Sequence, residues 1–196
     1  MKRFRNIVFG LIIFIFTIII FNRVEYSYKT SSYKIIPKKS ILAKAIIQKM
    51  NYKEDTPVTK YINIKQEKDI DNKKYILFVF GDNKELAGSA EFTKGINNKY
   101  KIEWVSHGTS IDGNEIIKTN KGKYILLTYK NLHKKVQYAK VLLNNKEFKV
   151  EFPKEEYVIT FHKVPDSTQD HYIDINNIKF YTSDNVDITQ EFLFEE

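Results

Sequence analysis

The chain has 196 residues, a formal net charge of +8 at pH 7 and no cysteine, which excludes a disulfide framework, a thiol nucleophile and a thiolate metal site. Hydrophobic residues make up 42% of the sequence and aromatic residues 14%, which excludes a wholly disordered chain. Only three of the basic residues are arginine, the side chain that reads bases and phosphates through paired hydrogen bonds, so specific nucleic-acid binding is not expected.

The N-terminal segment carries the pattern of an export and membrane-insertion signal. Lys2, Arg3 and Arg5 precede an apolar run at residues 7–21, and a basic head on such a run directs insertion into a membrane. We therefore expect residues 1–24 to form a single-pass transmembrane signal anchor that contacts the lipid bilayer through residues 4–24. The N-terminus is expected in the cytoplasm and the C-terminal domain on the extracytoplasmic side of the cell membrane.

A cleaved signal peptide is the alternative for this segment. Cleavage sites need small residues directly after the apolar core, but here bulky and charged residues, among them Phe21, Arg23 and Tyr26, occupy that place. The sequence therefore favours a retained anchor. Residues 25–39 are polar with interleaved tyrosines, and we expect them to form a juxtamembrane stalk.

Residues 40–110 are predicted to form a helix followed by an antiparallel sheet. Ser40 is suited to cap a helix that has apolar residues on one face, namely Ile41, Leu42, Ala45, Ile46 and Met50. The following β-branched and aromatic segments, separated by Asp, Asn and Gly, indicate four strands in a meander. These strands are predicted at residues 58–64, 75–80, 86–93 and 100–106. The inner Gly88-Ser89-Ala90 indicates a place where backbone or a large side chain packs closely.

Residues 111–196 are predicted to form a β-sandwich-like half that packs on residues 40–110. Short segments with strand composition recur at the spacing of a sandwich, at residues 124–129, 136–143, 148–152 and 157–161, with a last pair around 173–181. The expected fold class is therefore α+β and mainly β. It has one N-terminal transmembrane helix, a short helix packed on an antiparallel meander, and a β-sandwich-like half.

The layout of the chain resembles that of a loose group of bacterial envelope proteins. A basic anchor, a stalk and a helix lead into a meander that carries GDNKELAG at residues 81–88, and the chain ends with FYTSDNVDIT at residues 180–189. In this layout the chain resembles small membrane-anchored extracytoplasmic envelope proteins of low-GC Gram-positive bacteria. The resemblance covers the whole chain through turn and strand patterns, and it implies no catalytic residues.

Candidate binding residues lie where the fourth predicted strand ends. Trp104, Ser106, His107 and Thr109 bring an aromatic ring, an imidazole and two hydroxyls into one short segment, and loops at strand ends often carry function. The alternative is a strand terminus with ordinary turn residues. No His-x-x-x-His pair, Gly-x-Ser-x-Gly elbow or phosphate-binding glycine loop occurs in the sequence, so no catalytic residue, metal site or cofactor is predicted.

The sequence favours a membrane-anchored extracytoplasmic binding or structural module of the cell envelope, acting by surface recognition rather than as an enzyme. Lysines and exposed aromatics would contact an envelope protein or an anionic polymer. The alternative is a small envelope hydrolase that uses His107 or His162 with a carboxylate. A third possibility is an accessory of a membrane sensor that docks through its anchor.

Overall fold

The computed structural model of the chain describes residues 2–52, 54, 56–81, 86–169 and 172–194, with residues 2–13 described by their backbone alone. This part of the chain is mainly β, with ten strands in three sheets. Its helices are α1 (Lys2–Thr30), α2 (Lys39–Met50) and α3 (Thr189–Phe194).

The structure corrects the expected transmembrane helix. Met1 and the side chains of residues 2–13 lie outside the described part of the chain. Within that part, no helix is long and apolar enough to cross a membrane.

The helix α1 also continues into the expected stalk. Lys29 forms an ion pair with Glu25 at 2.6 Å, one helical turn apart, and the Thr30 hydroxyl donates a 2.8 Å hydrogen bond to the Tyr26 carbonyl. These contacts extend the helix to Thr30. The following segment is tied to the body by a bridge between Ile35 and Tyr100.

The helix α2 begins two residues earlier than predicted. Its N-cap is Lys38 rather than Ser40, and the Lys38 carbonyl accepts hydrogen bonds from the amides of Ile41 and Leu42. Of the five residues predicted on one face, Leu42, Ile46 and Met50 are buried, whereas Ala45 is half-buried and Ile41 is 38% exposed. This face packs on the first sheet.

Sheet 1 is a four-stranded antiparallel meander in the order β1-β2-β3-β4. Its strands are β1 (Asn63–Ile70), β2 (Lys73–Phe80), β3 (Leu86–Lys94) and β4 (Tyr100–Gly108). The prediction of a first strand at residues 58–64 is wrong, because Asn51 holds the Thr59 backbone with two side-chain hydrogen bonds. The β2–β3 connection at residues 82–85 lies outside the described residues.

Residues 112–181 contain two three-stranded antiparallel sheets. Sheet 2 has the order β5-β6-β9 and sheet 3 the order β10-β7-β8. Sheet 2 contains β5 (Asp112–Thr119), β6 (Gly122–Lys130) and β9 (Tyr157–Val164). Sheet 3 contains β7 (Tyr138–Leu143), β8 (Lys146–Glu151) and β10 (Ile178–Tyr181). The β7–β8 hairpin is thus an excursion between two neighbouring strands of sheet 2.

The three sheets stack as consecutive layers, with α2 on the outer face of sheet 1. One core cluster joins α2 to sheet 1, a second joins sheet 1 to sheet 2, and a third joins sheet 2 to sheet 3 and α3. Sheet 2 is therefore shared between two cores. The described part of the chain therefore has three packed sheets, where the sequence predicts a meander and one sandwich-like half packed on it.

The apolar runs in β2 and β6 explain the stacking. In β2, Ile76 and Phe78 face α2, while Tyr75 and Leu77 face sheet 2. The β6 strand is likewise buried on both faces. A strand covered on both sides needs a continuous apolar sequence rather than an alternating one. These two strands accordingly lie in the middle of their sheets, where both faces are covered.

Candidate binding cleft

A cleft of about 280 Å³ opens between the facing surfaces of sheets 1 and 2. Both walls are strand surfaces, because successive side chains of a strand point to opposite faces of its sheet. The wall from sheet 1 includes Tyr75, Leu77, Ser89, Trp104 and Ser106. The wall from sheet 2 includes Gly113, Asn114, Glu115, Leu126 and Thr128, and Tyr172 lies at the rim.

The register of the strands explains why these residues face one another across the cleft. In sheet 1, Ser89 of β3 lies opposite Ser106 of β4. In sheet 2, Gly113 of β5 lies opposite Thr128 of β6. Each pair shares a face of its sheet, so small and hydroxyl-bearing residues line both walls. The cleft consequently has hydroxyl groups on both walls beside apolar side chains such as Leu77 and Leu126.

A buried ion pair adjoins the cleft on the sheet 1 side. Glu91 is 5% exposed and lies opposite Trp104 in the β3–β4 register. Its carboxylate pairs with the Lys73 ammonium and accepts a 2.5 Å hydrogen bond from the Tyr75 hydroxyl. Burial, reinforced by the charge of Glu91, raises the pKa of Tyr75. Tyr75 therefore stays protonated and acts as a donor to Glu91.

Glu115 is the second carboxylate in this region, and its surroundings differ. Burial raises the pKa of the Glu115 carboxyl, the charge of Glu91 raises it further, and Lys73 acts in the opposite direction. The Glu115 side chain is half-buried, accepts no hydrogen bond from the described residues, and keeps its oxygens accessible to solvent. Its carboxylate therefore keeps acceptor capacity that a donor entering the cleft can use.

Asn114 fixes the rim of the cleft. Asn114 is 1% exposed. Its side-chain amide donates a hydrogen bond to the backbone carbonyl of Ile173, and its backbone carbonyl accepts a 2.7 Å hydrogen bond from the backbone amide of Ile173. A bridge between Glu115 and Tyr172 continues this pairing. The segment at 172–173 thereby covers part of the free edge of β5 and places the exposed Tyr172 ring beside the cleft.

Two glycines allow the strands to approach closely at this site. A Cβ on Gly88 would lie 2.5 Å from the Phe78 ring and 2.6 Å from the Ser106 carbonyl oxygen. This contact confirms the prediction that backbone or a large side chain packs closely there. At Gly113, a Cβ would collide with the Thr128 hydroxyl. Both positions require glycine for space rather than for backbone conformation.

The four predicted binding residues do not form one cluster. Trp104 and Ser106 line the cleft. His107 lies on the opposite face of β4, where its ring contacts the Phe80 ring at 5.6 Å between centroids. Thr109 follows β4 and lines a neighbouring pocket of about 310 Å³, which also contacts Phe192.

The histidines proposed for a hydrolase are separated by the fold. His162 contacts the Phe148 ring at 5.8 Å, on the side of sheet 2 that faces sheet 3. Within the described residues, neither His107 nor His162 is hydrogen-bonded or ion-paired to a carboxylate. His171 lies outside the described residues. The same described part of the chain contains no group of three or more metal-binding side chains that could hold an ion.

Lys73, Tyr75, Glu91 and Glu115 were missed by the sequence reasoning. The available signal was a single glutamate in each of two otherwise strand-like segments, LAGSAEFTK in β3 and DGNEIIKT in β5. A charged residue inside a strand that is predicted to be buried needs a partner. The partners of Glu91 lie on the neighbouring strand β2, 16 and 18 residues earlier in the chain, and Glu115 faces the same group from another sheet, so the sequence spacing does not reveal the cluster.

Comparisons of the chain with protein-family models, with curated proteins and with solved structures find no match.

Proposed function

We propose that this chain is a binding module of the cell envelope, held at a lipid bilayer by α1, with a ligand-binding cleft between sheets 1 and 2. The observation that carries the binding function is the cleft itself. It combines an aromatic surface from Trp104 with hydroxyl and amide groups and with a carboxylate, at Glu115, that lacks a donor. Small-molecule sites commonly have this composition.

The cleft favours recognition over acid–base chemistry. Glu91 already accepts bonds from Lys73 and Tyr75, so its carboxylate is engaged within the fold. His107 lines a neighbouring pocket of about 190 Å³ together with Ser89, Ser106 and Thr128, but no hydrogen bond joins its imidazole to these hydroxyls among the described side chains. Nucleophilic catalysis by a hydroxyl needs such a base within hydrogen-bond reach. The lining therefore supports binding.

Attachment to a bilayer is supported by the exposed surface of α1. Large apolar side chains between residues 14 and 24 are 44–67% exposed around the helix, including Phe14, Ile18, Phe21 and Val24. A continuous exposed apolar surface of this kind marks an interaction site. Basic residues precede it in the sequence, and tyrosines follow it, as at the interface of a membrane with water.

The basic residues before the apolar run also support the proposed location of the body. This order is that of an export signal, so we place the sheets on the extracytoplasmic side of the cell membrane. The occupants of the cleft would then be soluble molecules or side chains of the cell envelope.

Trp104 offers a direct test of the binding function, because it is the only tryptophan of the chain. Its emission is recorded with the full chain in detergent, against a panel of small cationic, neutral and anionic molecules. Ser106→Phe fills the cleft from an exposed position, and Ser183→Phe makes the same change at an exposed position elsewhere. Saturable changes in emission that S106F abolishes and S183F retains would support the function. A panel without any response, or hits that S106F binds equally, would contradict it.

Bilayer attachment is tested by flotation of the full chain with vesicles of neutral and anionic phospholipid. Ile15→Asp combined with Ile19→Asp introduces charge at two exposed positions of α1, and Ile96→Asp combined with Val186→Asp does so on the body. We expect the first pair to release the chain from the vesicles and the second pair to leave it bound. Equal flotation of both variants would contradict attachment through α1.

A further inference from the structure

The cleft has the opposite charge to the chain as a whole. The formal net charge of the chain is +8, but the charged residues that line the cleft are Asp112 and Glu115, and none of its described lining residues is basic. Lys73 does not neutralise Glu115 fully, because its ammonium is paired with Glu91. The cleft therefore favours positive over negative ligands, although lysines cover much of the remaining surface.

Aromatic rings accompany these carboxylates. Trp104 and Tyr75 belong to the wall from sheet 1, and Tyr172 lies at the rim. The indole face is the best of the protein side chains at attracting a cation, and an aromatic wall also accepts an apolar stem. A carboxylate together with such rings is a combination suited to an organic cation.

We propose that the cleft binds an organic ammonium group on a short apolar stem, with the ammonium at the Glu115 carboxylate and the stem against Trp104. This inference deepens the proposed binding function and rests on it. The ammonium supplies the donors that Glu115 lacks. The stem occupies the apolar part of the cleft beside Leu77 and Leu126. A volume of about 280 Å³ accommodates a small molecule or the end of a lysine-like side chain.

The groups around Glu115 determine the specificity. Across the cleft it faces Glu91, Lys73 and Tyr75 of sheet 1. Of the two carboxylates in the lining, Asp112 already accepts a 2.8 Å hydrogen bond from the Ser110 hydroxyl. Glu115 is the more buried of the two and accepts no hydrogen bond from the described residues, so all of its acceptor capacity is open to a ligand. An anionic ligand would meet two carboxylates at this place, which disfavours the anionic polymer expected from net charge.

The test compares three probes that share one stem, n-pentylammonium, 1-pentanol and pentanoate, by titrating Trp104 emission of the full chain at pH 7. We expect n-pentylammonium to bind at least about tenfold more tightly than the other two, because charge-assisted hydrogen bonds exceed neutral ones by at least that factor. Glu115→Gln should weaken its binding by at least about tenfold. Glu151→Gln, at a 69% exposed side chain on sheet 3, removes the same charge away from the cleft and should leave binding unchanged.

Two outcomes would overturn this inference while leaving the proposed function in place. One is binding of 1-pentanol or pentanoate as tight as that of n-pentylammonium. The other is unchanged ammonium binding in E115Q. At probe concentrations up to about 100 mM, even millimolar dissociation constants are detected. If none of the three probes changes Trp104 emission in this range, the ammonium inference is overturned. The wider panel of molecules then decides whether the cleft binds any ligand.

Discussion

The hydroxyl of Tyr75 donates a 2.5 Å hydrogen bond to the carboxylate of Glu91, in the layer between sheets 1 and 2. The two residues lie opposite each other in the β2–β3 register. Lys73, two residues earlier on the same face of β2, pairs with the same carboxylate. A buried negative charge is thus held by two donors from one neighbouring strand, at the point where the packed core meets the cleft.

Removing the Tyr75 hydroxyl should destabilise the fold, because Glu91 would then keep only one of its described donors. We expect Tyr75→Phe to lower the free energy of unfolding by about 1.5–3 kcal/mol, the range for hydrogen bonds to charged groups. Urea unfolding monitored by circular dichroism measures the change. Tyr172→Phe, at a 64% exposed ring, should stay within about 0.5 kcal/mol of the wild type. Equal stability of the two variants would show that the Tyr75–Glu91 bond contributes nothing.

The raised pKa of Glu115 implies that this carboxyl reduces stability at neutral pH. Burial is the main cause, followed by the charge of Glu91. A group whose pKa is higher in the folded chain binds more protons when folded. Its contribution to stability is therefore complete below the unfolded pKa of about 4.3 and is lost as the pH rises through the folded pKa.

Glu115→Gln should consequently stabilise the fold at pH 7 by up to about 1 kcal/mol, as is common when a functional site is relaxed. The difference from the wild type should vanish below about pH 4, where Glu115 of the wild type is protonated in both the folded and the unfolded state. Urea unfolding over a pH series tests this dependence. A variant less stable than the wild type at pH 7 would instead show that Glu115 supports the fold.

Gly88 and Gly108 differ in the space that their backbones leave. A Cβ on Gly88 would press on Phe78 and on the Ser106 carbonyl, whereas a Cβ on Gly108 would meet nothing within 4 Å. We expect Gly88→Ala to cost about 1–3 kcal/mol through overpacking, and Gly108→Ala to change stability little. Thermal unfolding of both variants provides the comparison. Similar melting temperatures would contradict the close approach of β3 to β4.

Asn114 should stabilise the rim of the cleft as well as the fold. Asn114→Ala leaves the Ile173 carbonyl without its side-chain donor, and a buried polar group without a partner costs about 1–3 kcal/mol. Faster hydrogen exchange of the amides near Ile173 should accompany this loss. Asn120→Ala, at an exposed position, is the control. Unchanged exchange near Ile173 in N114A would show that other contacts hold the rim.

Local sequence signals were sufficient for most of the strands and turns. The predicted segments at 86–93 and 100–106 fall within β3 and β4. The asparagines between β3 and β4 and between β7 and β8 supply residues with positive φ, including Asn98 at 58° and Asn145 at 61°. In contrast, β1 has only one buried residue in the sequence NIKQEKDI, so its strand character comes from pairing with β2 rather than from its own composition.

The stacking of the sheets and the ligand-binding cleft could not be predicted in this way, because both depend on contacts between distant segments. The β7–β8 hairpin leaves sheet 2 and forms sheet 3 with β10, and no local pattern distinguishes this from a sandwich. The cleft brings together residues of β3, β4, β5 and β6. Trp104 and Ser106 were found because they share a strand, whereas Glu115 lies in a different sheet.

The central claim is that the space between sheets 1 and 2 holds a ligand, and ¹H–¹⁵N spectra of the full chain with increasing n-pentylammonium test it most directly. We predict saturable shifts concentrated at the amides of Ser89, Ser106, Gly113 and Thr128, which line both walls. Glu115→Gln should reduce these shifts at equal probe concentration. Saturable shifts confined to surfaces away from these four amides would contradict the claim.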